Sequence, residues 1–549
     1  MVSSVALDDY LARILNRHQP FGPPDTESVV SAGCIGAERL FDRSNLIYAQ
    51  AVGTTRPAYI IGRKGAGKTA FLLATAGPGR QPEMLRTATV YSEMVATLRC
   101  YAEHRGPLFV EQVGKIWSAL FDHVALAYAC RTAAATDAPH ELQTMWDYLD
   151  AQAGVVQPAI TVAEQFLADL QRRIKDRAPV GLAEVIEGME RGGVRFAAAR
   201  AAMHVVLAAR AEAPIIVMDN LEDLHERLHD LREVLAGLFG CIGRIIEENS
   251  EGRPFGVHIC LPSELFETIH EISANPEKDF RGNYLTIYWT ARELLHLAGT
   301  RLRLYLQTHH RDELRALEYR APAARDDVVA LLRAVLPPTL MNGLGRPEDP
   351  VAYLLRHTQL LPRHLIELLN RVFTARAGDS TPWAVTPDAV RRGTRVAEDM
   401  IVRGILSAHR ESFPTARKAL GRLSDRLGIC FRAQDLHKVY NREGIRKITG
   451  LEFGEFLQML FDLGVLGVKV DQTARYNKAD FQYTFDSLLN PEEDTDELCV
   501  HPLFTRFLHE RSLPKLRREA ALPTYPYGCD PADGDYRFSL GYTERSGRG

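Results

Sequence analysis

The stretch Gly62-Arg63-Lys64-Gly65-Ala66-Gly67-Lys68-Thr69 decides how the rest of the chain is interpreted. It has the pattern G-x-x-x-x-G-K-T, and it lies between an apolar run at 58–61 and a helix-prone run at 70–74. A strand, a glycine-rich loop and a helix in this order are typical of a phosphate-binding loop. Glycines let backbone N–H groups turn toward phosphate oxygens, and the start of the helix adds partial positive charge. The motif predicts that residues 62–69 and Ala70 bind ATP, with Lys68 on the β- and γ-phosphates and Thr69 on Mg²⁺.

A second apolar strand ends in an acid. Residues 214–218 are followed by Asp219, whose carboxylate is expected to hold Mg²⁺ beside Thr69. The next residue is Asn220, which cannot act as a base at neutral pH. Glu222 and Asp223 are the nearest carboxylates, and Glu222 is the preferred residue to activate the attacking water. The alternative is that both acids stabilise the start of the following helix through its dipole.

Two further segments contain candidate phosphate-sensing residues. The apolar strand 255–261 runs into Pro262 and Ser263, and a polar residue at this point can contact the γ-phosphate. Ser263 suits the N-cap of a helix at 264–270 equally well. In a helix that begins near Pro362, Arg363 could form charge-assisted hydrogen bonds to the γ-phosphate. The alternative for Arg363 is a surface arginine on an amphipathic helix whose Leu365, Leu368, Leu369 and Val372 face a core.

These segments resemble the STAND and AAA+ branches of the P-loop ATPases, in particular bacterial conflict-system and regulatory members. The resemblance is carried by residues 62–69, by 215–219 with Asn220-Leu221, and by Leu361-Pro362-Arg363, and it covers residues 45–500 in order. It implies an additional strand between the loop strand and the acid strand, and a helical lid in which Arg363 is a second sensor. The chain departs from the pattern at Asn220 and by lacking an arginine after the 255–261 strand. Both departures leave the rate of hydrolysis open, and hydrolysis would be slow if neither Glu222 nor Asp223 reaches the water.

The expected fold class is an α/β P-loop NTPase core, a parallel sheet flanked by helices, with a large helical insertion, a helical lid and a C-terminal winged-helix domain. Residues 87–91, 255–261 and 284–289 are further predicted strands. The expected division is an N-terminal helical lead (1–45), the ATPase core (46–300) with an insertion at about 100–210, and a lid (301–395). A winged-helix domain (396–500) and a C-terminal helix with an extended tail (501–549) would follow.

The winged-helix prediction rests on three helices followed by a β-hairpin, with strands at 464–470 and 481–485 and a long tip at 473–480. Residues 401–450 contain eleven Lys/Arg against four Asp/Glu, and residues 451–500 contain three against eleven. The predicted recognition helix, 452–463, is acidic, which does not suit a DNA groove. Arg475, Tyr476 and Lys478 at the tip would offer contacts to phosphates or bases. Nucleic-acid binding and packing against protein therefore both remain open.

Composition limits the class of protein. Of 549 residues, 46% are hydrophobic and 25% charged, and the net charge is −4, so any nucleic-acid binding must be local. The eight cysteines form no C-x-x-C pair and are expected to be free thiols in a reducing cytoplasm. No signal sequence or membrane segment is apparent, so the expected location is cytoplasmic, without membrane contact.

The sequence therefore predicts an ATPase that couples its nucleotide state to assembly or partner binding, with a homo-oligomer or a partner protein as the expected partner. An antiviral role would follow only by analogy. Candidate trans-acting arginines are Arg281, Arg292, Arg301 and Arg303, each otherwise expected at the solvated surface. The alternatives are a DNA-binding regulator resembling origin-recognition ATPases, a phosphotransferase, and a nucleotide-stabilised scaffold without turnover.

Overall fold

The structure is a computed structural model. The chain folds into two compact units. It describes residues 11–25, 59–75, 83–98, 107–132, 139–149, 158–176, 181–191, 194–209, 215–219, 228–249, 255–263, 266–273, 284–375, 385–410, 412–481 and 497–529. The parallel-sheet unit contains Ile47–Gly62 and Lys68–Ile287. The mixed-sheet unit contains Met1–Leu46, Arg63–Gly67 and Tyr288–Gly549. Arg63–Gly67, called the loop crown below, thus belongs to the mixed-sheet unit.

The parallel-sheet unit is built on a five-stranded sheet in which all strand pairs are parallel. Its strands are β1 (Tyr59–Gly62), β2 (Glu83–Arg86), β3 (Ile215–Asp219), β4 (Gly256–Pro262) and β5 (Tyr284–Thr286). Their order across the sheet is β2-β3-β4-β1-β5. The predicted additional strand between the loop strand and the acid strand is confirmed, because β4 pairs with both β1 and β3. An α/β fold is therefore established for this unit.

Helices make up most of the rest of this unit. They are α1 (Lys68–Thr75), α2 (Thr87–Leu98), α3 (Pro107–Thr132), α4 (Pro139–Leu149), α5 (Ala159–Asp176), α6 (Leu182–Arg191), α7 (Val194–Ala208), α8 (Leu228–Asn249) and α9 (Phe266–Ile272). Helices α3 to α7 all lie in the chain between β2 and β3. Helix α3 packs along α8, where the indole N–H of the buried Trp117 donates to the Val234 carbonyl at 3.1 Å.

The predicted strand at 87–91 is wrong, because α2 begins at Thr87 and the strand β2 comes just before it. Val90, Met94 and Leu98 are all buried, and their spacing of four residues is that of a helix face. The five residues 87–91 contain threonine, valine and tyrosine, which favour strands, and are too few to show a helical period. The helical period becomes visible only when the window reaches Leu98.

The first part of the mixed-sheet unit is helical. Its elements are α10 (Ala291–His309), α11 (Arg311–Arg320), α12 (Ala323–Asp326), α13 (Val328–Val335), β6 (Leu340–Met341), β7 (Pro347–Glu348), α14 (Pro350–Arg356), α15 (Pro362–Thr374) and α16 (Pro387–Ala408). Helix α10 starts with a capping box, in which the Thr290 hydroxyl and the Glu293 carboxylate accept from each other's backbone N–H. Helix α15 has Pro362 at its first turn and buries Leu365, Leu368, Leu369 and Val372, as predicted.

The second part contains short helices and a mixed sheet. Its helices are α17 (Ala416–Leu423), α18 (Ala433–Arg442), α19 (Ile445–Thr449), α20 (Phe453–Asp462), α21 (Pro502–His509) and α22 (Leu513–Arg518). Its strands are β8 (Cys430–Phe431), β9 (Leu466–Gln472), β10 (Asn477–Asp480), β11 (Leu498–Val500) and β12 (Thr524–Pro526). The sheet order is β12-β10-β9-β11-β8, and only the β10–β12 pair is parallel.

The predicted hairpin is present with a shorter tip. Strand β10 pairs with β9 at residues that had been assigned to the tip, so the turn is limited to 473–476. The second strand was predicted at 481–485, whereas β10 is Asn477–Asp480 and Phe481 lies outside it. Residues 482–485 lie outside the described part of the chain. A run of polar residues such as Asn477-Lys478 shows little apolar alternation, which is why the strand was placed too late.

Two cysteines depart from the prediction of free thiols. Cys430 and Cys499 form a disulfide, although 69 positions separate them in the sequence. They lie opposite each other on the antiparallel strands β8 and β11, a register that the sequence spacing does not reveal. Cys130, Cys241, Cys260 and Cys529 are buried thiols outside this disulfide, as expected of small core residues. Within the described residues, no helix combines the length and apolar character that crossing a lipid bilayer requires.

Candidate functional site

In the parallel-sheet unit, the glycine-rich loop starts from a buried strand and ends in a helix. Gly62 is the last residue of β1, and Tyr59, Ile60 and Ile61 before it are fully buried. Lys68 is the first residue of α1. Its ammonium group donates to the Gly62 carbonyl at 2.8 Å, and the side chain is only 6% exposed. The lysine is thus held against the base of the loop that it terminates.

Thr69 and Asp219 meet in the same unit. The Thr69 hydroxyl donates a hydrogen bond to Asp219 Oδ2. Asp219 is the last residue of β3 and is buried. Because β1 and β3 are parallel and separated only by β4, the end of the acid strand and the start of α1 lie at the same edge of the sheet. The structure therefore brings together a hydroxyl and a carboxylate oxygen that the sequence placed far apart.

Ser263 lies at the same edge. It follows Pro262, the last residue of β4, and Pro262 is the register partner of Gly62. Its side chain is half-buried. The next described helix, α9, is Phe266–Ile272, and residues 264 and 265 lie outside the described residues, so the N-cap role of Ser263 stays a prediction.

In the mixed-sheet unit, the loop crown packs against the start of α15. Gly65 and Gly67 both have φ of +90°, a backbone conformation that favours glycine. The Arg363 backbone N–H donates to the Gly65 carbonyl at 3.4 Å. A Cβ added at Gly65 would lie 3.0 Å from the Cβ of Arg363, so the arginine covers the glycine closely. Of the residues predicted to sense phosphate, Arg363 is thus in contact with the loop sequence itself.

Arg63 belongs to a buried polar cluster. It is 6% exposed, and it lies near His364 of α15, whose pKa falls to about 3 through burial and through the charges of Arg63 and Arg363. His501, also buried, has its pKa lowered by burial first and then by neighbouring charges that include Arg63. Both histidines are therefore neutral at physiological pH.

Gln359 links this cluster to the turn after α20. Its side-chain amide donates to the Leu463 carbonyl at 3.0 Å. Gly464 follows with φ of +65°, and a Cβ there would lie 2.4 Å from Gln359 Nε2. Only glycine fits this turn without displacing Gln359.

Trp289 was not identified from the sequence. Its indole N–H donates to the carbonyl of Ala66 in the loop crown at 2.7 Å. The only available signal was a tryptophan at the end of a predicted strand and directly before the Thr290–Glu293 capping box. The predicted strand 284–289 in fact ends at Thr286, so Trp289 lies in the connection between β5 and α10.

The remaining predicted residues divide into two groups. Asn220, Glu222, Asp223 and Arg281 lie outside the described residues. Arg301 is buried rather than solvated and donates to the Phe21 carbonyl at 2.8 Å, and burial lowers its pKa to about 10. Arg303 donates to the Ala324 carbonyl, whereas Arg292 is exposed. Arg301 is thus unsuited to act on another subunit, because its guanidinium holds the N-terminal segment.

The predicted wing tip is only partly available. Arg475 is exposed, but Tyr476 is 6% exposed and packs edge-on against Tyr525 of β12, with ring centroids 5.1 Å apart. Lys478 lies within β10, between β9 and β12, and is half-buried. Tyr476 is therefore not exposed at the tip as predicted, because β12 covers it.

Comparison with models of known protein families found no match, and no curated protein matches the sequence. The chemistry of the site therefore rests on the geometry of this chain. Thr69 and Asp219 offer hard oxygen ligands, and Lys68 offers a buried cation. Such a set can bind a polyphosphate with a small divalent cation.

Proposed function

We propose that this protein binds ATP with Mg²⁺ through residues 62–69, hydrolyses it slowly, and uses the nucleotide state as a switch. The observation that carries the proposal is the hydrogen bond between Thr69 and Asp219. A glycine-rich loop with a terminal Lys-Thr pair could serve other purposes. Here the loop threonine contacts the acid at the end of β3, which is separated from β1 by one strand, and P-loop nucleotide hydrolases hold Mg²⁺ with such a pair.

The residues present fit Mg²⁺. This ion prefers oxygen ligands, keeps several of its waters, and is usually held by one or two protein groups together with substrate phosphates. Thr69 and Asp219 would be those groups. The described residues contain no cluster of three or more His, Cys, Asp or Glu side chains suited to a metal. When bound, Mg²⁺ would neutralise charge on the phosphates.

The reaction would be in-line attack of water on the γ-phosphate. Lys68 would turn from the Gly62 carbonyl toward the phosphates and neutralise charge that develops on them. Asn220 cannot take the proton of the water, which supports slow turnover. Glu222 would orient that water. Arg363, which already covers Gly65, would contribute a guanidinium to the γ-phosphate.

The switch part of the proposal rests on contacts within the mixed-sheet unit. Arg363 and Trp289 both hold the loop crown, and Gln359, four residues before Arg363, holds the turn at Leu463. A change in the conformation of the loop crown would therefore displace the start of α15 and the turn that precedes β9. The partner that detects this change would be a second copy of the chain or another protein.

The decisive experiment measures ATP binding, phosphate release and assembly state for the wild type and Lys68→Ala. A matched control is Lys115→Ala, which removes an exposed lysine that pairs with Glu111 on α3. We expect Lys68→Ala to lose ATP binding and turnover and Lys115→Ala to retain both. Phosphate release without an added acceptor would exclude a phosphotransferase. No heat on titration of the wild type with Mg·ATP would refute the proposal.

The structure does not add support for the DNA-binding alternative, because Tyr525 of β12 packs against Tyr476 at the predicted wing tip. Its test is the salt dependence of DNA binding. Steep salt dependence that is lost on charge reversal at Arg475 would favour that alternative.

A further inference from the structure

We infer that Trp289 is a positioning residue for the nucleotide site, because it fixes the peptide that presents the Gly67 N–H. This inference rests on the proposed function, since it assumes that the loop crown binds phosphate. It assigns a role to a residue that belongs to none of the recognised sequence motifs of the chain.

The first step is the direction of the Ala66 carbonyl. The Trp289 indole N–H donates to it at 2.7 Å, which is a short and therefore favourable hydrogen bond. The peptide bond between Ala66 and Gly67 is planar, and in a trans peptide the C=O and the next N–H point in opposite directions. With the carbonyl held toward Trp289, the Gly67 N–H points to the other side of the loop crown.

The second step is that the direction of the Gly67 N–H is not fixed by hydrogen bonds of the Ala66–Gly67 peptide within the loop crown, so a residue outside the crown must fix it. The neighbouring Ala66 N–H is already used within the crown, where it donates to the Arg63 carbonyl at 3.0 Å. Gly65 and Gly67 both have φ of +90°, and glycine allows the adjoining peptides to rotate at little cost. Without Trp289, the Ala66–Gly67 peptide would be free to turn its N–H away from a phosphate.

The third step is the rigidity of Trp289 itself. Immediately after it, Thr290 and Glu293 form the capping box that starts α10, with hydrogen bonds of 2.9 and 3.1 Å. Ala291, the first residue of α10, is buried. The indole therefore projects from the fixed start of a long helix and can hold the crown in one conformation before the ligand arrives, which lowers the ordering cost of binding.

The backbone N–H groups of such a loop contact the α- and β-phosphates, whereas the γ-phosphate is reached by the lysine. Trp289 should therefore support ADP and ATP equally. Its contribution would be the same in the ground state and in the transition state, so its loss should raise KM and leave kcat unchanged. A residue that only stabilised the fold would show no such division.

The test compares Trp289→Phe with Trp117→Phe in the full chain. Both variants remove an indole donor to a backbone carbonyl, but Trp117 donates to Val234 in the core between α3 and α8. Calorimetry with ADP and with ATP is expected to give about three- to tenfold weaker binding of both nucleotides for Trp289→Phe, as the loss of one hydrogen bond predicts. Trp117→Phe should bind both like the wild type. Trp289→His, which keeps a ring N–H, should recover part of the loss.

The outcomes separate the two proposals. If the wild type binds neither nucleotide, the proposed function and this inference both fall. If the wild type binds and Trp289→Phe binds equally well, or if kcat falls while KM stays constant, only this inference falls.

A second measurement uses the wild-type protein and tests the inference even if Trp289→Phe does not fold. Wild-type protein with nitrogen-labelled tryptophan is titrated with ADP, and the indole signals are assigned with Phe variants of Trp117, Trp146 and Trp383. The Trp289 signal should shift while that of Trp117 stays in place. An unshifted Trp289 signal under saturating ADP would overturn the inference.

Discussion

Thr69 and Asp219 lie 150 positions apart in the chain, and the hydroxyl of one donates directly to the carboxylate of the other. A large part of the intervening chain folds into the helices α3 to α7 between β2 and β3. The parallel sheet brings the two residues together because β3 and β1 flank the same strand, β4. The first prediction concerns this pair.

Asp219→Asn should raise the Mg²⁺ concentration needed for ATP binding by about tenfold or more, because the amide keeps the shape of the side chain and removes its charge. Isothermal titration at several Mg²⁺ concentrations measures this. Asp147→Asn is the control, because Asp147 is exposed on α4 and accepts a hydrogen bond from Gln143 of the same helix. An unchanged Mg²⁺ requirement in Asp219→Asn would remove the carboxylate from the metal site.

Arg363→Ala should lower the rate of ATP hydrolysis by about 100-fold and affect ATP affinity much less, since a guanidinium on the γ-phosphate acts mostly on developing charge. Single-turnover phosphate release measures the effect. Arg371→Ala is the control on the same helix, because Arg371 pairs with Glu367 four residues earlier. Equal rates for the two variants would assign Arg363 to packing against Gly65 alone.

The third prediction is a pH dependence of stability that arises from His364. Its folded-state pKa is about 3, below the ordinary value of 6.5, so the unfolded chain binds a proton that the folded chain does not between these two values. The stabilisation by this group is complete above pH 6.5 and is lost as the pH falls toward 3. In this range His364 lowers the free energy of unfolding by at most about 1.4 kcal/mol for each pH unit of acidification.

His364→Asn, in which the amide oxygen can replace Nδ1 as acceptor for the Gln359 N–H, should flatten this acid loss of stability. Denaturant titrations at pH 7.5 and pH 5 measure the difference. His140→Asn, at an exposed position of α4, should retain the wild-type slope. Identical slopes for wild type and His364→Asn would show that another group controls the acid transition.

The fourth prediction concerns Tyr525, which is 1% exposed. Its hydroxyl donates to Glu348, and Arg356 lies 5.4 Å from its ring centroid while pairing with Glu348 at 3.1 Å. Tyr525→Phe should cost about 1 kcal/mol of unfolding free energy, because the Glu348 acceptor loses a donor. Tyr525→Ala should cost about 3 kcal/mol, because it also leaves a cavity.

Thermal unfolding and limited proteolysis of the C-terminal segment measure these effects. Tyr319→Ala is the control, since that side chain is 85% exposed. Proteolysis of Tyr525→Ala at the wild-type rate would mean that the segment is held by other contacts, such as Arg346 on the Ala521 carbonyl.

The sequence predicted those features that depend on residue types at fixed spacing within a short segment. The loop 62–69 was located between a strand and a helix because glycine, lysine and threonine occur there in a fixed pattern. The apolar stripe of α15 was predicted because its period spans several turns. Such signals need no knowledge of distant segments.

Features that depend on distant segments were missed. The Cys430–Cys499 disulfide follows from the register of β8 and β11, and the burial of Tyr476 follows from the position of β12. Trp289 became significant only when its indole was found on Ala66, a residue 223 positions away. Side-chain partners of this kind are set by tertiary packing, which short windows of sequence do not contain.

Strand β12 also affects how the protein can be handled. Residues 477–479 of β10 pair with β9 on one side and with Thr524–Pro526 on the other. A recombinant chain shortened before Thr524 would leave β10 as an open sheet edge, and such edges recruit strands from other molecules. Shortened versions should therefore precipitate or form soluble aggregates at concentrations where the full chain stays dispersed.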